Sequence, residues 1–180
     1  MADVVFDACV LVPFHLCDAF LRLAENGIFT PRWTETILEE VHRTLEPMIG
    51  LQNTSRRIQK MRGAFHHAMV TGYESRISRM TNALKDRHVA AAAVQINAPI
   101  LVTDNLRHFP AASLAEFCVA ALSRDDFLMN VYSDDAARFH DVLRRQADGY
   151  RKPPLTFGEL LDRLAKHAPT LVTRIVLDLL

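Results

Sequence analysis

The sequence predicts an α/β domain with a central parallel sheet, followed by a helical extension. Two apolar runs rich in β-branched residues, at positions 4–12 and 100–104, are typical of strands buried on both faces. Helix-like segments alternate with these runs, which indicates right-handed crossovers between parallel strands. Beyond residue 130 the pattern is helical only. We therefore expect two domains, residues 1–130 and 131–180.

The individual elements follow from apolar spacing and from residues that begin or end helices. Thr34 is a typical N-cap, and Pro47 is expected to end the helix that Thr34 begins. Gly27 suits the position after the end of the first helix, and Pro169 is expected to divide the last helical stretch. A short third strand is expected within residues 114–121. The predicted helices cover residues 14–26, 34–47, 55–70, 73–80, 86–96, 134–147 and 156–180.

Length and charge restrict what the chain can do. Its 180 residues are enough for one well-cored domain with a small appendage. Lys and Arg number 21 and Asp and Glu number 21, so the formal net charge is zero. Binding to a polyanion therefore depends on local basic patches, because the field of the whole protein does not attract one.

The cysteines and the N-terminal residues predict a compartment. Three scattered cysteines, Cys9, Cys17 and Cys118, indicate free thiols in a reducing environment, and no CxxC zinc motif occurs. No basic segment precedes the apolar N-terminal run, as it would in a signal peptide. No apolar run approaches the roughly 20 residues that span a bilayer. We expect a cytoplasmic protein without membrane association.

Four acids occupy positions that a purely structural pattern would give to other residues. Asp7 interrupts the first apolar run, and Glu40 borders the apolar face of its helix. Asp86 opens the most apolar helix, and Asp104 ends the second predicted strand. Ligand sites in open α/β sheets form beyond the carboxyl ends of the strands, so these acids are expected to share one crevice. Clustered carboxylates favour a hard divalent cation, Mg²⁺ or Mn²⁺, which activates water and neutralises charge on phosphoryl oxygens.

Each acid also has an ordinary structural explanation. Asp86 can serve as an N-cap, and Glu40 can be a surface residue like the glutamate before it. Asp104 followed by Asn105 is typical of a turn. Asp7 is the hardest to explain structurally, because a carboxylate inside an apolar run needs polar partners to be tolerated.

Two other enzyme classes whose first strand has a similar pattern are excluded. Phosphatases of the haloacid dehalogenase type need a second Asp two residues after the first, and position 9 is a cysteine. A nucleotide-binding Rossmann domain needs a glycine-rich turn after the first strand. Residues 8–13 contain no glycine.

Four segments together resemble PIN-domain proteins, and within them the toxins of VapBC-type toxin–antitoxin pairs. The segments are VVFDACVLV, RWTETILEEV, KDRHVAAAAV and ILVTDNLRHFP, and the resemblance covers about residues 3–130. The tail, with PPLTFGELLDRL, is similar to the helical C-terminal extension of one VapC subgroup. The resemblance implies a three-layer α/β/α fold and Mg²⁺- or Mn²⁺-dependent endoribonuclease activity, typically against structured RNA such as tRNA. It also implies a cognate antitoxin protein that blocks the site.

Carried over residue by residue, the resemblance assigns the metal-binding acids to Asp7, Glu40 and Asp86. The fourth position departs from the family pattern, because Asn105 stands in the usual acid position and Asp104 stands immediately before it. The catalytic set is therefore expected to include Asp104 as a metal ligand beside Asn105, or else the site has only three strong acids.

Further departures and a basic segment lie beside these acids. His108 stands where the subgroup often has Asp, and Ala8-Cys9 stands where many relatives have Thr-Asn, which removes a hydroxyl that would hydrogen-bond a ligand. The segments that flank the third acid carry a basic set, which comprises Arg56, Arg57, Lys60, Arg62, Arg76, Arg79, Lys85 and Arg87. Arg87 and His88 are the candidates for binding substrate. They are expected to guide an RNA backbone toward the metal, although a solvated helix face would have the same composition.

The main alternative is a catalytically degenerate PIN fold that binds RNA or a protein partner without cleaving RNA. The departures at the fourth acid position leave this alternative open. The apolar residues of the last helix, within 171–180, are expected to close the domain core or to form a surface for a homodimer or an antitoxin.

Overall fold

The computed structural model describes residues 1–180 and contains a four-stranded sheet in which every strand pair is parallel. The strands are β1 (Asp3–Phe6), β2 (Thr30–Arg32), β3 (Ile100–Val102) and β4 (Ala120–Leu122). Their order in the sheet is β2-β1-β3-β4. The prediction of an α/β fold with a central parallel sheet is confirmed.

Ten α-helices and four short 3₁₀ helices connect and follow these strands. The α-helices are α1 (Ala8–Leu11), α2 (Phe14–Glu25), α3 (Glu35–Ile49), α4 (Leu51–Ala64), α5 (Arg87–Gln95), α6 (Ala111–Leu114), α7 (Arg124–Asp134), α8 (Ala136–Gly149), α9 (Phe157–Ala165) and α10 (Pro169–Asp178). The 3₁₀ helices are Glu74–Arg79, Leu84–Asp86, Leu106–His108 and Ala115–Phe117.

Several helix starts agree with the residues that predicted them. Thr34 caps α3, because its hydroxyl oxygen accepts the backbone N–H of Ile37 at 3.1 Å. Pro169 opens α10 at a position where its missing N–H leaves no helical hydrogen bond unmade. Gly27 follows α2 with a positive φ of 72°, a conformation that glycine adopts without steric cost.

The predicted strand at residues 4–12 is wrong in its second half. β1 ends at Phe6, and the apolar residues after Asp7 form the short helix α1, in which Ala8, Val10 and Leu11 are buried. A continuous apolar run predicts burial equally well for a strand and for a helix, so its length alone did not fix where the strand ends.

Two proline positions also correct the prediction. Pro47 does not end its helix, because α3 includes it and continues to Ile49. β2 was not predicted, because Pro31 lies inside it and proline cannot donate a sheet hydrogen bond. β2 lies at the edge of the sheet, where such a residue is tolerated.

Other predicted boundaries shift. The helix predicted at residues 55–70 is observed as α4, Leu51–Ala64, and the one predicted at 73–80 is the 3₁₀ helix Glu74–Arg79. β4 lies at the end of the segment in which a third strand was expected. α7 was not predicted and runs across residue 130, so the division between residues 130 and 131 stays a prediction.

The first of two compact units comprises residues 1–12 and 29–122 and contains the whole sheet. Its core includes β1 and β3, whose residues Val5 and Leu101 are fully buried. α5 packs against both strands. Its alanines at 90–93 have no exposed surface. Because β2 and β3 lie on opposite sides of β1, the strand order reverses between β1 and β3, which is where open α/β sheets form their ligand crevice.

The second unit comprises residues 13–28 and 123–180 and is helical. α2 packs against α8 and α9, and α10 packs against α7 and α9. The Tyr150 hydroxyl donates to Asp18 at 2.6 Å, and Arg163 donates to a ring nitrogen of His15 at 2.7 Å. Sequence spacing did not predict that α2 would pack with the C-terminal helices. None of the helices combines the length and apolar composition needed to cross a membrane.

Candidate active site

A hydrogen bond between two side chains joins the carboxyl ends of β1 and β3. The Thr103 hydroxyl donates to Oδ2 of Asp7 at 2.6 Å, and both residues are buried. The backbone extends the contact, because the Asp7 N–H donates to the carbonyl of Val102 at 3.0 Å. Thr103 Oγ1 also accepts the backbone N–H of Asn105 at 3.1 Å. The first predicted acid is thus fixed at the point where the strand order reverses.

The Asp7 carboxyl carries an electrostatic penalty in the folded chain. Burial raises its pKa above the ordinary value, and hydrogen bonds from Thr103 and Cys9 only partly offset that effect. The negative charge of Asp86 raises the Asp7 pKa further, so the two carboxyls lie within electrostatic range of each other. A cation between them would relieve both the desolvation and the repulsion.

Cys9 contributes a thiol beside Asp7. The Cys9 thiol donates to Oδ2 of Asp7 at 3.4 Å. Its sulfur also accepts the backbone N–H of Asp104 at 3.4 Å. Burial, followed by the charge of Asp7, raises the Cys9 pKa to about 12, so the group is a neutral thiol at physiological pH. Cys9 thereby links the loop after β3 to the first acid.

Asp86 occupies the N-cap position of α5, but its side chain makes no capping hydrogen bond. Its Oδ2 is buried and lies 2.9 Å from Nδ1 of His108, in an orientation that does not form a hydrogen bond. The Ala83 N–H donates to the His108 carbonyl at 3.1 Å and holds the two turns together. Helix capping therefore does not account for this carboxylate.

Glu40 is held by a histidine from the same turn as Asp86. Nε2 of His88 lies 3.3 Å from Oε1 of Glu40, and Arg43 approaches the same oxygen at 3.9 Å. Glu40 is half-buried, whereas Glu39 is exposed. The ion-pair contacts of Glu40 are with these basic residues, and His88 connects it to the start of α5.

The residues at the fourth acid position lie beyond the end of β3. The strand ends at Val102, so Asp104 stands two residues past it and is exposed. Asn105 is half-buried, and its backbone is bonded to Thr103. The backbone of Asp104 is anchored to Cys9, which keeps this residue close to Asp7.

The carboxylate oxygens of this region are of the type that binds a hard divalent cation, but the side chains do not surround one. No three His, Cys, Asp or Glu side chains converge closely enough to hold a metal ion. Oδ2 of Asp86 is nevertheless a buried carboxylate oxygen without a hydrogen bond, and such atoms are rare in folded proteins. The ion-pair partner of this oxygen is Nδ1 of His108 at 2.9 Å, and carboxylate oxygens are the ligands that Mg²⁺ and Mn²⁺ prefer.

Most of the basic residues that flank Asp86 are already held within the chain. Arg87 donates to the Asn82 carbonyl at 3.2 Å, and Arg76 donates to Gln95 at 2.6 Å. Arg57 binds carbonyls at the end of α1, Arg62 pairs with Glu35, and Arg79 lies over the Phe117 ring. The remaining basic residues of this set, Arg56, Lys60 and Lys85, are exposed.

Sequence reasoning missed two residues of the site. It did not single out Thr103, although a hydroxyl residue directly after a buried strand is a signal for a side-chain hydrogen bond at the sheet edge. It noted His108 as a departure from a family pattern, but nothing in the sequence indicated that its ring would lie against Asp86.

Comparison with known proteins gives two family matches and one similar protein. Residues 3–107 match the family model described as PIN domain, and residues 124–176 match the model described as VapC50 C-terminal domain. The chain is 40% identical over 102 residues to a protein of Mycobacterium tuberculosis named putative ribonuclease VapC50. That match covers 57% of this chain and 60% of the relative. No solved structure gives a significant match.

The penalty on Asp7 predicts a stability effect in metal-free protein. Folding raises the Asp7 pKa, so the neutral carboxyl contributes to the stability of the folded state at low pH. This contribution is lost as the pH rises from the ordinary Asp pKa through the raised one. Asp7→Asn keeps a neutral side chain at every pH. We expect it to raise the free energy of unfolding at pH 7 in EDTA by about 1 kcal/mol. Urea denaturation measures this.

The control is Asp148→Asn, which removes an exposed carboxylate outside this site and is expected to change stability by less than about 0.5 kcal/mol. The gain from Asp7→Asn should shrink as pH is lowered below about 4, near the ordinary Asp pKa. A destabilised Asp7→Asn protein at pH 7 would contradict this account of the carboxylate.

Proposed function

Because the chain belongs to the PIN-domain family, we propose that it is a metal-dependent endoribonuclease and the toxin of a toxin–antitoxin pair. The observation that carries this proposal is the repulsion of buried Asp7, at the strand-order reversal, by the charge of Asp86, whose buried Oδ2 makes no hydrogen bond. The match with this chain spans 60% of the length of the relative named as a ribonuclease.

The proposed metal ligands are Asp7, Glu40, Asp86 and Asp104, with Asn105 beside them in the catalytic set. All supply oxygen atoms, which Mg²⁺ and Mn²⁺ prefer. When bound, either ion lowers the pKa of a coordinated water and neutralises charge on the phosphoryl oxygens of RNA.

Hydrogen bonds within the chain orient the Asp7 carboxylate. Thr103 donates to one oxygen of Asp7 and fixes the direction of the carboxylate, while the backbone bond to Val102 fixes its position. The carboxylate of Asp86 keeps a buried oxygen free of hydrogen bonds. Arg87 and His88, next to it in sequence, are proposed to bind the RNA backbone. Arg87 keeps guanidinium donors besides the Nε that bonds to Asn82.

The proposed partners are an RNA substrate, with tRNA as one candidate, and a cognate antitoxin protein. An RNA substrate also supports a cytoplasmic location. In α10, Leu171 and Ile175 are buried, while Val176 and Leu177, and Leu179 just after the helix, are exposed. The helix therefore contributes to the core of its unit and also offers an apolar surface, for which a homodimer contact is our proposal.

A second candidate function is a degenerate PIN fold that binds RNA or protein without cleavage. Two observations favour it: no three ligand side chains converge, and Asn105 stands in the usual acid position. The two candidates differ in what a divalent cation does to the protein.

The first test measures metal-dependent RNA cleavage by variants of two proposed ligands and of one neighbouring residue. We expect Glu40→Gln and Asp7→Asn to lower RNA cleavage by more than about a hundredfold, which is the upper range for loss of an outer-shell partner of a metal. Glu39→Gln is the matched control, because Glu39 is exposed and adjacent to Glu40. Gel analysis of a labelled tRNA mixture with Mg²⁺, Mn²⁺ or EDTA measures the rates.

Thermal unfolding decides between the candidates. A cation at 100 times its Kd should stabilise the wild-type protein by about 2.7 kcal/mol and should leave Asp7→Asn unchanged. If neither ion raises the Tm of the wild-type chain and no RNA is cut, the binding-module candidate replaces the enzyme.

A second test concerns the fourth ligand. We expect Asp104→Asn to weaken the Mn²⁺-induced rise in Tm, because it removes a charged oxygen near Asp7. Asn105→Asp restores a carboxylate at the family position and should strengthen the rise. Measuring Tm as Mn²⁺ is added gives the apparent Mn²⁺ affinity of each variant. We expect each affinity to differ from that of the wild type by about tenfold. Equal affinities for wild type and both variants would mean that only three acids bind the ion.

A further inference from the structure

One exposed arginine, Arg107, is attached to the candidate site through a histidine. Its Nε–H donates to Nε2 of His108 at 3.2 Å. Nδ1 of the same ring lies 2.9 Å from Oδ2 of Asp86. Because a guanidinium only donates, Nε2 is the acceptor and the ring presents its Nδ1 proton to the carboxylate. A single imidazole ring therefore separates the Arg107 guanidinium from a proposed metal ligand.

The turn that carries Arg107 and His108 is fixed by backbone hydrogen bonds. The His108 N–H donates to the Asn105 carbonyl at 2.7 Å, and the His108 carbonyl accepts the Ala83 N–H at 3.1 Å. Phe109, the next residue, is buried and anchors the turn in the core. Because the backbone around Arg107 is already constrained, little conformational freedom is lost there when a ligand binds.

The outer part of the Arg107 side chain is available to a ligand. Its bond to His108 uses only the Nε–H, and it forms no ion pair with a carboxylate of the chain. The N–H groups of its two terminal nitrogens therefore remain free to bind two oxygens of one phosphate. By contrast, Arg87 is half-buried and donates to the Asn82 carbonyl.

An RNA that approaches the site meets a group of negative side chains. Asp7 and Asp86 lie at the strand-order reversal, and exposed Asp104 is anchored beside them through Cys9. Each of these carboxylates repels a phosphate. The formal net charge of the chain is zero, so the field of the whole protein does not compensate. A cation fixed beside the acids offsets the repulsion at the place where the phosphate must lie.

We propose that Arg107 binds a phosphate of the RNA beside the candidate metal site, and that His108 is the positioning residue that directs its guanidinium. The inference rests on the proposed function, because it takes RNA as the ligand of the same site. It adds a substrate contact to those proposed for Arg87 and His88, and it applies whether the RNA is cleaved or only bound.

The experiment measures binding of a labelled single-stranded RNA to the full chain by fluorescence anisotropy, in EDTA to withhold the proposed metal. Arg107→Gln should raise the Kd about tenfold, as expected for loss of a hydrogen bond between charged groups. It should also make the dependence of log Kd on log salt concentration shallower by about 0.7, the value for one phosphate contact to a single strand. Arg107→Lys keeps the charge but loses the paired donors and the Nε bond, so it should also bind more weakly than the wild type.

Arg145→Gln is the matched control. Arg145 is also exposed, and its Nε also donates within the chain, to the Asp141 carbonyl at 3.4 Å. It belongs to the helical unit and not to the unit that contains the sheet. The substitution removes the same charge, and the variant should keep the Kd and the salt dependence of the wild type. Equal losses in Arg107→Gln and Arg145→Gln would mean that the RNA responds to total charge, which overturns the inference.

A double-mutant cycle tests the positioning role of His108. If His108 acts through Arg107, His108→Ala should weaken RNA binding several-fold in the wild-type chain and have no further effect in Arg107→Gln. An equal effect in both backgrounds would contradict the positioning role. The Arg107 variants alter an exposed side chain, so they test the phosphate contact even if His108→Ala does not fold.

Failure of the inference can be distinguished from failure of the proposed function. If the wild type and Arg107→Gln bind RNA equally well, the inference is overturned and the ribonuclease proposal stands. If Arg107→Gln binds more weakly as expected but the wild type cleaves no RNA with either ion, the inference stands and the binding-module candidate replaces the enzyme. If the wild-type chain binds no RNA, both are overturned.

Discussion

The hydrogen bond from Thr103 to Asp7 is the contact on which the candidate site depends, because it joins the ends of the two strands between which the strand order reverses. Neither β1 nor β3 could shift by one residue without breaking it, since a one-residue slip turns every side chain to the opposite face. The paired register of Phe6 with Val102 sets this geometry, and the surrounding apolar core holds it. The carboxylate is thereby fixed where water is largely excluded.

Burial and a neighbouring negative charge make the ionised form of Asp7 unfavourable. Asp7 is desolvated and repelled by Asp86, and the oxygen of Asp86 that faces His108 has no hydrogen bond. Neighbouring carboxylates in such surroundings raise each other's pKa unless positive charge lies between them. In the folded chain, His88 approaches Glu40 and His108 approaches Asp86.

The rest of the fold keeps this arrangement in place. α5 packs its small alanines against β1 and β3 and so brings its N-terminal turn, with Asp86 and His88, near the strand ends. The second unit has its own core, in which α2 joins helices from the far end of the chain.

The sequence alone determined the parallel α/β class, the burial of the apolar runs and the identity of the acidic residues, because these follow from local periodicity and from residue chemistry. It did not determine where β1 ends or that Pro31 lies in a strand, since a short apolar run or a proline has the same local pattern in several structures. Only the tertiary structure decided which atoms meet. Thr103 reaches Asp7 through strand register, and His108 reaches Asp86 through the contact between two turns distant in sequence. Such pairings depend on long-range packing, which no local pattern of residues records.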